Sequence, residues 1–87
     1  MLHLERVVDG DYVVEYRVFA HHVLVGFVAW RHDAPSPAWY FEGNLALGLD
    51  SDGGVYFWLL AWGEDSEHIA IAKFKRRFHA VFRRRIA

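Results

Sequence analysis

The chain contains no cysteine, no threonine and no glutamine. Without cysteine there is no disulfide, no thiolate metal ligand and no cysteine nucleophile, a composition that fits a reducing cytoplasm. Tyr and Trp aside, the uncharged hydrogen-bonding side chains are Ser36, Ser51, Ser66 and Asn44. An active site needs orienting polar groups around its reactive one, and reading DNA base edges calls on Asn or Gln. This chain is poor in both. Lysine is scarce too, two residues against eight arginines, a bias associated with GC-rich bacterial or phage genomes. No apolar run approaches the ~18 residues of a membrane-spanning helix. The N-terminal MLHLERVV carries charge where a signal peptide has its apolar core. The expectation is a non-enzymatic cytoplasmic protein without cofactor, metal or membrane partner.

What is present is mostly apolar. Of 87 residues, 54% are hydrophobic and 17% aromatic, too many for a disordered segment and compatible with one domain spanning 1–87. For a mass of 10.2 kDa, surface scaling gives about 5,300 Å² folded against about 14,800 Å² unfolded. Fifteen aromatic side chains, at ~150–250 Å² each, supply a core that needs no staple. The net charge of −1 conceals an asymmetry. Residues 1–72 hold three arginines against eleven acidic residues, a balance of −8, whereas residues 73–87 hold seven basic residues and no acidic one. A charge split of this kind points to a charged partner.

Residues 2–8, 11–19, 23–31, 38–49 and 55–62 read as strands, rich in Val, Leu and aromatics. The breaks between them are Asp9-Gly10, His21-His22, the two-proline loop from His32 to Pro37, and Asp50-Ser51-Asp52-Gly53-Gly54. The period then changes. Over 66–86 the apolar residues Ala70, Ile71, Phe74, Phe78, Val81, Phe82 and Ile86 follow the spacing of an amphipathic helix. Glu64, Asp65 and Glu67 at its start and Arg83, Arg84 and Arg85 at its end complement the helix dipole. Strands first and helix last predict an α+β fold, an antiparallel meander of about five strands with one C-terminal helix packed on one face.

Strand parity assigns the faces, because residues directly opposite in an antiparallel ladder share a side. A three-residue first turn sets Leu2, Leu4, Arg6 and Val8 beside Tyr12, Val14, Tyr16 and Val18. A tight turn at Ala20-His21 pairs Val18 with Val23, Tyr16 with Val25 and Val14 with Phe27. A loop over 50–54 pairs Leu49 with Val55, Leu47 with Phe57 and Leu45 with Leu59, with Trp39 and Phe41 on the same side. These residues are expected under the helix. The opposite face then carries Trp30, Tyr40, Tyr56, Trp58, Leu60 and Trp62, with Val13, Phe19, Leu24 and Val28, diluted by Glu15, Arg17, Glu42 and Asn44. A half-solvated antiparallel sheet alternates apolar and polar, yet 23–31 and 55–62 are apolar on both sides, and one helix covers one face. The six aromatic and leucine positions are therefore candidate interface residues, for a second copy, for a protein partner, or as an aromatic floor for a small ligand. The competing reading folds the 32–38 loop over them as core.

The helix gives a second candidate. On a 100° wheel Lys73, Arg76, Arg77, Arg83 and Arg84 lie opposite the phenylalanines. Such a stripe tracks a phosphate backbone without specifying sequence, meets an acidic partner, or solvates the helix. The acidic body opposes simple nucleic-acid binding. Asp50 to Gly54 departs from a calcium loop, having Gly54 at the third ligand position and Ala61 at the twelfth, and reads as a hairpin turn. His3, His21, His22, His32, His68 and His79 form no metal-ligand spacing. Ser66 reads as a helix cap, and Gly26, Gly43 and Gly48 as bulges or points of close packing. Together these features predict a small non-catalytic interaction module, a homodimer acting as an accessory regulator or inhibitor by binding another macromolecule. A nucleic-acid binder and a small-ligand binder are the alternatives.

Overall fold

The alternating segments pair in chain order. The computed structural model describes residues 2–32, 36–47, 50–51, 54–55 and 57–86, with side chains described for 2–32, 36–47 and 57–80. Strands β1 (Leu2–Asp9), β2 (Tyr12–Ala20), β3 (Val23–Arg31) and β4 (Ala38–Gly43) are followed by a 3-10 turn at Leu45–Leu47. A short ribbon of β5 (Asp50–Ser51) and β6 (Gly54–Val55) leads into β7 (Phe57–Trp62), a 3-10 turn at Glu64–Ser66, and α1 (Glu67–Ile86). The main sheet has five antiparallel strands in the order β1-β2-β3-β4-β7, and α1 lies against β4 and β7. This is the expected α+β architecture.

The core lies between that helix and one sheet face. Phe41, Phe74, Leu60, Val18, Val25 and Val28 are fully buried. The Phe74 ring sits 4.7 Å from Phe41 and 6.3 Å from Trp58, with Phe78 5.6 Å behind it. Ala70, Phe74 and Phe78 are buried and Ile71 half-buried, as the helical spacing predicts. The side chains of Val81, Phe82 and Ile86 lie outside those described.

Three bulges set the register, and they revise the face assignment. The first hairpin closes with a two-residue turn pairing Asp9 with Tyr12, not a three-residue one. An extra residue, Val14, then brings Leu2, Leu4 and Arg6 opposite Ala20, Val18 and Tyr16, so the expected grouping of even positions holds beyond the bulge. Next to the turn it fails: Val8 pairs with Val13, which packs against the core instead of lying on the far face, and Tyr12 pairs with Asp9. In the second hairpin the turn is His21-His22, and both residues are left-handed (φ 50° and 66°), the geometry of the type I′ turn that matches strand twist. It pairs Ala20 with Val23. Val25 is then extra, and beyond it Val18 faces Gly26 and Tyr16 faces Val28. That single residue reverses the parity of β3: Val28 and Trp30 turn to the core side and Phe27 turns away.

The last hairpin differs most. β4 ends at Gly43 instead of running to 49, because Asn44 diverts the chain. Its Nδ2 donates to the Leu24 carbonyl (2.8 Å), and its Oδ1 accepts from the Ala46 amide (3.0 Å). A local side-chain bond of this kind competes with the ladder and starts the 3-10 turn. Phe41 consequently pairs with Trp58, Tyr40 with Leu59 and Trp39 with Ala61, leaving Leu60 extra. Trp58 and Leu60 turn to the helix, whereas Phe57 and Leu59, expected there, turn away. The segment read as a hairpin turn is one, pairing Asp50 with Val55 and Ser51 with Gly54. Gly48 and the predicted partner Leu49 lie outside the described residues.

Gly26 and Gly43 are paired and buried, the close-packing role expected of them. A Cβ on Gly26 would lie 2.4 Å from the Glu42 carbonyl oxygen and 2.7 Å from the Phe41 ring. Gly26→Ala is therefore expected to cost at least the ~1–3 kcal/mol of an overpacked core, and Phe74→Ala about 3–5 kcal/mol. Urea unfolding of both variants checks this, and a loss below about 0.5 kcal/mol in either, the range of ordinary surface changes, contradicts the packing described.

Candidate interaction surfaces

The face away from α1 is divided by chemistry. Its rows, read from the register, run Arg17, Phe27, Glu42, Phe57 and Glu15, Ala29, Tyr40, Leu59. Over β1 and β2 the face is mixed: Val7 and Phe19 lie among His3, Glu5, Glu15 and Arg17, and Arg17 Nη1 meets Glu5 Oε1 at 3.3 Å with both side chains about half exposed. Over β3, β4 and β7 it is apolar except for Glu42. Tyr40 stacks on Phe57 with ring centroids 4.8 Å apart. Among the described residues no element packs across this half.

The six candidates from parity separate accordingly. Tyr40 lies on the open face, half-buried. Trp62, at the end of β7, is 54% exposed. Trp58 and Leu60 are core: Trp58 packs 5.0 Å from Phe41, and Leu60 is 1% exposed. Trp30 turns to the same side, 5.7 Å from Trp39. Tyr56 lies outside the described residues. The aromatic floor imagined for a small ligand thus loses Trp30, Trp58 and Leu60. Phe27, Phe57 and Leu59 take their places on the open face, and parity alone missed them because a bulge leaves no periodic mark. Gly26, a glycine within an apolar strand, was the one available sign of irregularity.

The cationic candidates also separate. Arg76 is exposed and Lys73 half-buried. The Arg77 guanidinium lies 4.6 Å above the Trp58 ring, a cation–π contact. Arg83 and Arg84 fall in the last turns of α1, but their side chains lie outside those described. His79 is exposed, edge-on to Phe78. His3, His21 and His22 share a shallow cleft with Glu5 and Phe19, and the described residues hold no cluster able to ligate a metal. No described helix is long and apolar enough to cross a membrane.

The chain matches no family model, no curated protein and no solved structure. Its surfaces must therefore be read from their own chemistry.

At the start of α1, Asp9, Asp11, Glu64, Asp65 and Glu67 gather with Arg6 around a groove that Trp39 also lines. Buried Trp39 Nε1 has no partner among the described residues. Beside it the Tyr16 hydroxyl donates to Glu67 Oε1, tying β2 to the first turn of the helix. Ser66 is buried, and its hydroxyl donates to the Gly63 carbonyl. Burial, then the bond to Glu67 and its negative charge, push the Tyr16 phenol up to about 12, with Arg6 acting in the opposite sense.

This gives a pH prediction. The folded phenol holds its proton more tightly than the unfolded one, whose ordinary value is 10.0. The stabilisation is complete below pH 10 and is lost as pH rises toward 12. Urea midpoints followed from pH 9 to pH 12 are expected to fall more steeply for the native chain than for Tyr16→Phe. Parallel curves would show that the folded phenol is not held above its ordinary value.

Proposed function

We propose that this protein is a small non-catalytic interaction module that works as a homodimer, acting as an accessory regulator or inhibitor of another macromolecule. One observation carries the reading: Phe27, Ala29, Tyr40, Phe57 and Leu59, around the single carboxylate of Glu42, form a mainly apolar half-face that no described element covers. An uncovered apolar surface rimmed by polar residues marks an association site, and here Glu5, Glu15 and Arg17 form the rim. A standard interface removes about 800 Å² from each partner.

Sedimentation equilibrium tests this. Twice the 10.2 kDa chain mass is expected at micromolar concentration. Phe27→Glu, which sets a carboxylate in the apolar half, should return the monomer, and Arg76→Glu on the helix should not. A native chain that stays monomeric at the highest attainable concentration refutes the homodimer.

Nucleic-acid binding by α1 is the second reading. Arg76 supports it, being exposed. The acidic groove at the start of the same helix opposes it, as does the packing of Arg77 on Trp58. If it held, the logarithmic salt dependence of oligonucleotide affinity would become shallower by about one on removing Arg76.

A further inference from the structure

The sheet has two edges, and they are built differently. β1 carries His3, Glu5, Arg6 and Asp9, and charges on an edge strand discourage pairing with another chain. β7 reads FWLLAW, with no charge and no proline. It is the terminal strand, with β4 on one side and no described strand on the other. The bulge at Leu60 interrupts its regularity without charging it. Its end residues Phe57 and Trp62 are 49% and 54% exposed.

The helix completes the surroundings of this edge. α1 turns His68, Ile71, Ala72 and Lys75 toward Tyr16 on the β2 side. It turns Arg77 onto Trp58 of β7. Residues four apart share a helix face, so Ile69 and Lys73 lie on the Arg77 side, toward the outer edge of β7, with exposed Arg76 at the helix crest beside them. Ile69 is 52% exposed. An uncharged strand edge therefore runs beneath a row of cations.

We propose that the outer edge of β7, together with the Lys73–Arg76–Arg77 side of α1, docks an extended acidic segment of a partner protein, which adds to the sheet as a further strand. Main-chain bonds to β7 supply affinity, and alternate side chains supply specificity. Side chains of the added strand on the helix side meet Lys73, with Arg76 at the rim, and are acidic. Those on the other side lie beside Phe57, Leu59 and Trp62 and are apolar. A second copy of this chain fits the edge poorly, because antiparallel pairing about a two-fold axis sets the cationic side of one helix against that of the other. The homodimer through the open face does not depend on this site, nor this site on the homodimer.

The probe is a capped peptide of alternating glutamate and valine, about ten residues long to span the edge, titrated into the isotope-labelled full chain. The lysine–valine peptide is the control. Expected are amide shifts and slowed hydrogen exchange confined to 57–62 and 69–77, and no response to the control. Lys73→Glu with Arg76→Glu, changes on the helix surface, should weaken binding at least tenfold while thermal stability is unchanged. Shifts that map to β1 or to Phe27 and Tyr40 would overturn the proposal, as would affinity indifferent to the double substitution, or no response at millimolar peptide. A single-stranded oligonucleotide that shifts 69–77 where the acidic peptide does not would also overturn it, assigning the cations to nucleic acid.

Discussion

Gly26 holds β3 against β4 so closely that a methyl group would collide with the Glu42 carbonyl. The Val25 bulge lies immediately before it. Which residues β3 shows on the second sheet face follows from that junction. Without the extra residue, Phe27 would point at the helix and Val28 away from it. With it, Val28 enters a row with Tyr16, Phe41 and Trp58, and that row receives Phe74. The core is an aromatic stack fitted under one helix. The residues displaced from it, Phe27, Phe57 and Leu59, become the open surface.

Charge is arranged around the same helix. Carboxylates gather at its start, next to the Tyr16–Glu67 bond. Its later turns hold the cations, one of them committed to Trp58. Part of the charge asymmetry along the chain thus becomes a separation between the two ends of one rod some 30 Å long, the other carboxylates remaining on the sheet and its loops. Favourable dipole placement accounts for part of this. It does not account for cations gathered on the side above an uncharged strand edge.

The fold was legible because its signals are periodic. Alternation marks five strands, the i, i+3, i+4 spacing of Ala70, Phe74 and Phe78 marks the helix, and turn residues mark the breaks. Which residues meet was less legible. The even positions of β1 and β2 were grouped correctly only away from the turn, which is a residue shorter than expected. All three assigned hairpins have a different register from the one expected, and two of them change face: β3 because a bulge adds a residue without altering local hydrophobicity, β7 because β4 ends early. The early end of β4 comes from two hydrogen bonds of Asn44, one of them to β3.

The sequence by itself determined that this chain has more aromatic and aliphatic side chains than one helix on one sheet can cover, and that its charge is split in two. These are properties of composition and spacing, which no register can change. Only the tertiary structure decided which side chains are left outside. Each bulge inverts the parity of the strand beyond it, so Trp58 and Leu60 are buried and Phe27 and Leu59 are not. The outcome rests on backbone pairing between distant residues, of which the chain read in order carries only a faint trace, a glycine such as Gly26 within an apolar strand.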